Sequence, residues 1–427
     1  MMNYEQALNY IHSVNWTFCK PGLERVTTLC KALGDPQSKL RFVHVAGTNG
    51  KGSTSAMLAS VLQNAGYKTG LYTSPYIRTF CERIRVDGEN IPQAALCKLT
   101  ERIRPIADAM EDKPTEFELI TALAFAYFAE CRCDVVVLEV GLGGRLDSTN
   151  VIENTLLSII TGIDFDHTAL LGNTIEEIAR EKAGIIKAGR PVLFGGGEGA
   201  ARNTVKQVAK EKGAPFYTVD RSSYQEKSAT LNGTVFDYSH YTNLHLPLLG
   251  AYQPYNATLV LTAIDLLKEQ GLAIREADVR EGLSSVRWPA RFELLSRDPI
   301  VIYDGGHNPE GVRAAVASIQ TYFPGKKVNI LSGVMADKER GEMIETVKPV
   351  TAHAFTVTPN NPRALAARDY AAQLTAHGIS ATSYASVAEG VKAAIEASKK
   401  EGIPLICLGS LYLYEEAEAA IRAALRS

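Results

Sequence analysis

Asp134-Val135-Val136-Val137-Leu138-Glu139-Val140 is an apolar run of strand length in which polar and apolar residues do not alternate. Both faces of the strand it predicts must therefore be covered, which places it in a parallel sheet with crossover helices rather than in an antiparallel sheet with one wet face. From about residue 40 onward, runs of this kind alternate with amphipathic stretches of helix length, the pattern of an α/β architecture. Arg41 to Ala46, Gly70 to Thr73, Leu156 to Ile160 and Val192 to Phe194 read as further strands. From Tyr224 to Leu249 the texture changes to short Thr-, Tyr- and Val-rich segments broken by Asn232-Gly233, a hairpin signal that predicts a small antiparallel patch. Helices are expected from near Gln253 and near Glu276. After Trp288-Pro289-Ala290-Arg291-Phe292 a second alternation begins, with strands at Val301 to Tyr303, Val328 to Leu331, Ala354 to Val357 and Leu405 to Leu408. The joint is placed at 293–298, dividing a domain over 1–293 from a smaller Rossmann-like α/β domain over 298–427.

Two domains also suit a chain of 427 residues that is 46% hydrophobic, which is too long for one core. Its 45 Lys and Arg against 47 Asp and Glu give a net charge of -2, scattered along the chain, and so no electrostatic reason to bind nucleic acid or an anionic membrane. Met1 to Ser13 carries Glu5, Asn9 and His12 where a secretory peptide needs an unbroken apolar core, and no apolar stretch reaches the roughly 18 residues of a membrane span. A cytoplasmic location is the expectation. The cysteine count of seven is odd, and Cys131-Arg132-Cys133 is one residue short of a C-x-x-C pair, so the cysteines read as reduced and structural.

His44-Val45-Ala46-Gly47-Thr48-Asn49-Gly50-Lys51-Gly52-Ser53 follows a predicted strand and opens a helix through Met57, Leu58, Val61 and Leu62. That is the context of a phosphate-binding P-loop. Glycines let backbone N–H groups converge on phosphate oxygens, Lys51 adds a point charge, and the helix N-terminus adds its partial positive charge. The Ser53 hydroxyl can reach a magnesium ion or a phosphate. Gly52 separates Lys51 from Ser53 and only two residues separate Gly47 from Gly50, so the loop departs from the G-x-x-x-x-G-K-[ST] form of common GTPases and kinases. The bland alternative is a glycine turn that merely joins strand to helix.

Glu139 ends a buried strand, at the edge where open α/β sheets bind ligands, and is a hard oxygen donor suited to Mg²⁺ on nucleotide phosphates. The alternative is a glutamate simply exposed at a strand end. Asp164-Phe165-Asp166-His167 follows the strand Leu156 to Ile160, which brings His167 to the same edge; a lone histidine more often makes a structural hydrogen bond. Thr174-Ile175-Glu176-Glu177 reads as a capping box, and on the helix it starts Lys182 falls on the apolar stripe of Ile175, Ile178, Ala179 and Ala183. Its amine either snorkels outward or is drawn into the site, where burial favours the neutral form that reacts with carbon dioxide to give a carbamate.

Taken together, these segments resemble the folylpolyglutamate synthase and dihydrofolate synthase family, within the superfamily of muramyl-peptide ligases. The resemblance rests on Lys20-Pro21-Gly22-Leu23-Glu24-Arg25, HVAGTNGKGSTS at 44–55, TSPYIRTFCERI at 73–84, TEFELITALAFAYF at 115–128, VLEVGLGGRLDSTN at 137–150 and EKAGIIK at 181–187. It continues through Gln253-Pro254-Tyr255-Asn256-Ala257, Arg291-Phe292-Glu293, Asp304-Gly305-Gly306-His307-Asn308-Pro309 and Gly409-Ser410-Leu411-Tyr412. It implies an ATP cradle at Asn49, Gly50, Lys51, Gly52 and Ser53 completed by Asn256, Arg291 and Asp304. Magnesium, as two ions, is implied on Ser74, Glu139 and His167. Lys182 matches the lysine that the family carries as a carbamate, which makes the carbamate the favoured reading. A pterin-bearing substrate is implied near Tyr10, Ile11, His12 and Ser13, near Thr115 and Phe117, and near Leu146, Asp147 and Ser148. Phe117 also fits plain core packing on the stripe Phe117, Ile120, Thr121, Ala124. Two positions depart from the family pattern: Tyr76 stands where many relatives have histidine, and Ala290 where a glycine often precedes the linker arginine.

The implied reaction joins L-glutamate to dihydropteroate or to the glutamate tail of reduced folates. A free carboxylate has no good leaving group, so ATP first converts it to an acyl phosphate, which the α-amine of glutamate then attacks. Lys51 and the metals spread charge on the transferring phosphoryl group, and His307, in the loop after the strand Ile300 to Tyr303, is expected to act where the two domains close. The partners are small molecules, and a monomer is the family expectation. Three rivals remain: another amino-acid ligase with the same engine, against which the TEFE and GLGGRLD segments speak; a P-loop phosphotransferase or nucleotide switch, for which one α/β domain would suffice; and a catalytically silent nucleotide-binding scaffold, which would not need Lys51, Glu139 and His167.

Overall fold

The computed structural model describes residues 2–13, 22–336 and 340–426. Lys20 and Pro21, the first two residues of the Lys20 to Arg25 motif, lie outside the described residues. The chain divides into two compact units that interleave in sequence: Met1–Tyr224 with Asn256–Ser285, and Gln225–Tyr255 with Val286–Ser427.

The first unit is built on an eight-stranded sheet made of β1 (Phe42–Ala46), β2 (Thr69–Tyr72), β3 (Ile84–Val86), β4 (Glu89–Asn90), β5 (Val135–Glu139), β6 (Thr155–Ile160), β7 (Val192–Phe194) and β8 (Phe216–Thr218). Their spatial order is β4-β3-β2-β5-β1-β6-β7-β8. From β2 to β8 neighbours run parallel, whereas β3 and β4 fold back antiparallel at one edge. Every residue of β1, β2, β5 and β6 is buried, as their continuous apolar runs require. One face packs Phe42, Tyr72, Val136 and Leu138 against Leu119, Leu123, Phe125 and Phe128 of the helix Glu116–Glu130. Another cluster joins Ala46, Val140 and Ile160 to Ala179, Ala183 and Ile186. Gly282 allows the helix Glu276–Ser285 to lie against Lys51–Asn64, since a Cβ there would fall 2.5 Å from the Val61 Cα.

The second unit carries a three-stranded sheet in the order β11-β10-β9, formed by β9 (Tyr224–Thr230), β10 (Gly233–Tyr238) and β11 (Tyr241–Leu246), with Asn232-Gly233 at its first turn. Its larger sheet comprises β12 (Glu293–Arg297), β13 (Ile300–Asp304), β14 (Val328–Ser332), β15 (Thr351–Thr356), β16 (Ala381–Ser383) and β17 (Leu405–Leu408), ordered β12-β13-β17-β14-β15-β16. All its pairings are parallel except β12 with β13. The α/β class, the antiparallel patch and the Rossmann-like second sheet follow the sequence expectation.

Segmentation differs from the single joint drawn at 293–298. Those residues form β12, paired with β13, and the antiparallel patch belongs to the second unit. The physical reason lies in the contacts made by the patch and the segment after it. Leu231 and Leu249 pack into the core with Phe292 and Ile302. Gly250 N donates to Tyr322 Oη at 3.2 Å and Ala251 N to Ser318 Oγ at 2.9 Å. Such long-range pairings leave no mark in local periodicity. Among the described residues no helix is long and apolar enough to cross a membrane.

His44 sits in the middle of β1, fully buried, with Nε2 2.8 Å from Thr149 Oγ1 and with Nδ1 buried and unpartnered. Thr149 gives its only hydroxyl hydrogen to Asp147, so His44 donates from Nε2, and the buried Nδ1, with no acceptor to receive a hydrogen bond from a second proton, favours the neutral ring. Burial, with the nearby Lys187 charge second, holds the imidazole down to about 3. Because the unfolded imidazole has its ordinary value near ~6.5, the unfolded chain takes up this proton first as acid is added. The stabilisation is therefore complete above the unfolded value and is lost as pH falls through the folded one. The urea midpoint of the wild-type chain should drop more steeply between pH 6.5 and 4 than that of His44→Gln; equal slopes would contradict the assignment.

Candidate active site

Four adjacent strands, in the order β2-β5-β1-β6, end at the same edge of the first sheet, and each is followed by a segment singled out from sequence. Ligands of open α/β sheets bind outside this carboxyl edge. The turn after β1 is the P-loop. Gly50 has a left-handed φ of 83° and caps the helix Lys51–Asn64, whose first turn carries neither a side-chain cap nor an acidic residue. Its leading N–H groups and positive dipole end are thus left to a ligand.

The loop is pinned from the β6 side. Thr48 N donates to Gly162 O at 2.7 Å, and Thr161 Oγ1 donates to Asn49 O at 2.6 Å. Thr48 Oγ1 and the backbone of Asp164 exchange hydrogen bonds of 3.1 and 3.0 Å. Gly47 and Gly50 are required by close approach: a Cβ at Gly47 would fall 1.8 Å from Thr161 Oγ1, and one at Gly50 2.7 Å from Asn256 Oδ1. Asn256, assigned to ATP, therefore does meet the P-loop. Lys51 folds its amine back onto Gly47 O and Thr48 O at 3.1 and 3.0 Å, and Ser53 is buried.

Glu139, at the end of β5, is buried at 4% exposure, and its Oε2 accepts from Ser74 N at 3.2 Å. Two of the three implied magnesium ligands are therefore adjacent. His167 is exposed, adopts a left-handed φ of 50°, and has Nε2 3.8 Å from Asp166 Oδ1. Among the described residues no three His, Cys, Asp or Glu side chains gather as a metal-binding group. Lys182 does not snorkel: its amine is buried and donates to Gly47 O at 2.9 Å, directly under the P-loop. The helix that carries it begins with the expected Thr174 and Glu177 capping box.

The residues implied for the pterin divide by environment. Tyr10 bonds Asp108 Oδ1 at 2.9 Å, His12 Nδ1 lies 3.1 Å from Glu116 Oε2, and Ser13 Oγ donates to Tyr10 O. Ile11 is fully buried in the core. Thr115 is the N-cap of the helix Glu116–Glu130 in a capping box with Glu118. Phe117 packs over Gly141, where a Cβ would fall 2.5 Å from its ring, and lies 5.9 Å from the Tyr72 ring. Leu146 is exposed, Ser148 is buried, and Asp147 accepts from Leu142 N at 2.9 Å and Thr149 N at 3.0 Å, with its carboxyl pushed upward by burial.

The second unit holds the remaining residues. Asp304 ends β13, is buried, and accepts from Tyr252 Oη at 2.8 Å, Phe292 N at 2.9 Å and Gly306 N at 2.7 Å. Burial raises its carboxyl while the Arg291 charge opposes the rise. Arg291 Nη1 donates to Ala290 O at 3.0 Å, and His307 Nδ1 lies 3.0 Å from Gly305 O. Ala290 and Phe292 have φ of 56° and 47°, a left-handed conformation that costs a non-glycine residue roughly 1–2 kcal/mol. Glycine suits the Ala290 position for that reason. Sequence reading gave no role to Thr48, to Thr161 or to the buried pair in which Arg25 Nε is shared between the two Glu118 carboxylate oxygens at 3.1 and 3.0 Å. The spacing of Thr115 and Glu118 was the available sign of the capping box that Glu118 also serves.

The Mur ligase middle domain matches residues 45–264, and the Mur ligase glutamate ligase domain matches 290–411. Dihydrofolate synthase/folylpolyglutamate synthase of Bacillus subtilis is 38% identical over 424 residues, covering 97% of this chain and 98% of that protein. The crystal structure of folylpolyglutamate synthase from Thermotoga maritima superposes with a TM-score of 0.86 at 33% identity, covering 98% of this chain and 96% of that one. E. coli FolC in complex with DHPP and ADP gives 0.86 at 32% identity, covering 100% and 99%. The chain belongs to the dihydrofolate synthase and folylpolyglutamate synthase family of Mur ligases.

Proposed function

We propose that this chain is an ATP-dependent ligase that adds L-glutamate to dihydropteroate and to the glutamate tail of reduced folates through an acyl phosphate. The observation that carries the reading is the uncapped helix start at Gly50 to Ser53, with Lys51, flanked along one sheet edge by Ser74, Glu139 and Lys182. ATP analogues fit such a cradle, and a relative has been solved as an FPGS-AMPPCP-folate complex.

Ser74 and Glu139 are hard oxygen donors, with room in the donor set for phosphate oxygens and water, which is how Mg²⁺ is usually held in nucleotide sites. They would hold the ion, with His167 as the third protein ligand. When bound, Mg²⁺ supplies charge stabilisation to the phosphoryl group in flight. The rest is done by the chain. Backbone amides of Gly50 to Ser53 orient the phosphates, and Lys51 leaves its own loop carbonyls to meet the γ-phosphoryl. The substrate carboxylate attacks phosphorus and ADP leaves; the α-amine of glutamate then attacks the acyl carbon, phosphate leaves and the amine proton is released. Arg291 and Asp304 are assigned to the nucleotide, Asp304 also holding the turn that carries Arg291, and His307 is assigned to the reaction. The pterin-bearing substrate is held by the His12, Phe117 and Asp147 surroundings.

ADP release should require both dihydropteroate, or a reduced folate, and L-glutamate. Hydroxylamine in place of glutamate should yield the pterin hydroxamate, and ADP release indifferent to either pterin would end the assignment. Lys51→Ala and Glu139→Ala should each lower kcat by about 100-fold or more, the scale of losing one preorganised charge contact, with unchanged unfolding midpoints. Retained turnover in either would remove its role.

Lys182 is assigned as a carbamate, formed when its neutral amine attacks carbon dioxide and loses a proton. Supporting this is a buried amine that donates to a P-loop carbonyl, Gly47 O, at 2.9 Å. Labelling with ¹³C-bicarbonate should give a carbamate carbon resonance that Lys182→Ala lacks, and short carboxylic acids should partly restore activity to that variant. An active wild-type chain without the resonance would contradict the assignment.

A further inference from the structure

Arg83 carries a charge that no acidic side chain among the described residues answers. Its guanidinium carbon lies 5.2 Å from the centre of the Tyr76 ring and 5.5 Å from that of Phe80, and its Nε is buried without a hydrogen-bond partner. The nearest acid in sequence is already engaged: Glu82 accepts from the backbone amides of Ile77, Arg78 and Thr79, and lies 4.0 Å from Arg85. A guanidinium stacked on aromatic rings is held in its plane while its N–H fork stays available, an arrangement matched to a planar, bidentate acceptor such as a carboxylate.

Its place in the fold narrows which carboxylate. Thr73 N donates to Arg83 O at 3.0 Å, so Arg83 stands beside the residue that precedes Ser74 at the sheet edge. The Phe80 ring meets His12 edge to face at 5.5 Å, and the Tyr76 and Phe80 rings are 5.7 Å apart. Tyr72, whose ring lies 5.9 Å from that of Phe117, pairs across the sheet with Ile84, the residue after Arg83. Arg83 thus shares its surroundings with His12 and Phe117.

We infer that Arg83 is a specificity-determining residue that binds a carboxylate of the pterin-bearing substrate, with Tyr76 and Phe80 holding its guanidinium in register. This rests on the proposed folate reading and goes beyond it by naming the group that separates a pteroate from a pterin without the benzoate. Tyr76 is part of the device, since its broad ring covers the guanidinium face.

The test measures binding to the full-length chain of dihydropteroate and of 6-hydroxymethyl-7,8-dihydropterin, which lacks the carboxylate, for wild type, Arg83→Gln and Arg83→Lys. Arg83→Gln should weaken dihydropteroate by about 10- to 100-fold, the worth of hydrogen bonds to a charged group. Arg83→Lys, which keeps charge but not the fork, should fall between. Affinity for the carboxylate-free pterin and the KM values for ATP and L-glutamate should not move. Equal weakening of both pterins, no weakening of either, or a rise confined to the KM of L-glutamate would each overturn the inference. Should Arg83→Gln not fold, Arg83→Lys with a wild-type unfolding midpoint decides by the same comparison. A wild-type chain that binds neither pterin would instead remove the folate reading beneath it.

Discussion

The contact on which the site depends is the close seating of the Gly47 turn against the loop after β6. Thr161 occupies the space a side chain at position 47 would need, and Thr48 is gripped on both its backbone and its hydroxyl by Gly162 and Asp164. Four hydrogen bonds to the turn between Gly47 and Lys51 thus come from one neighbouring strand end, so two strands fix the conformation of a loop that belongs to one. A phosphate site gains from this rigidity because donors that are already aimed need no reorganisation when charge arrives. Lys182 extends the same logic from below, its buried amine held at Gly47 O.

Sheet order turns sequence separation into proximity. Residues 47–53, 74, 139 and 161–164 come together because β2, β5, β1 and β6 are neighbours with a common direction, and a parallel strand can present its ligand only at its carboxyl end. The capping box at Thr115 and Glu118 adds a second use of one residue, since Glu118 also accepts from Arg25 Nε in a buried ion pair that ties the helix Glu24–Ala32 to Glu116–Glu130. Removing Arg25 would strand the buried Glu118 carboxylate without this cation, a far larger disturbance than losing a surface ion pair, whereas Arg25 also pairs with Asp112 Oδ2 at 2.9 Å.

Much of this was legible in the residues. Val135 to Glu139 announced a strand covered on both faces, Asn232-Gly233 announced the hairpin, and the glycine spacing around Lys51 announced the phosphate turn, because each is a local pattern with a local cause. What could not be read is what depends on partners distant in sequence: that the patch at 225–255 joins the later sheet, that Thr161 helps hold the loop's shape, and that His44 closes a chain through Thr149 to Asp147. The departure at Ala290 lies between these cases. The sequence marked it as unusual, and the left-handed backbone at Ala290 and Phe292, held by Gly305 N on Ala290 O and Phe292 N on Asp304, supplies the reason.

The central claim, that one pinned turn and its neighbouring strand ends hold nucleotide and metal together, is tested most directly by a crystal structure of the chain with AMPPCP and Mn²⁺, the ion located by its anomalous signal. Phosphate oxygens on the amides of Gly50 to Ser53 and an ion on Ser74 and Glu139 are the predicted result. A nucleotide bound away from that turn, or an ion with neither residue among its ligands, would contradict the account.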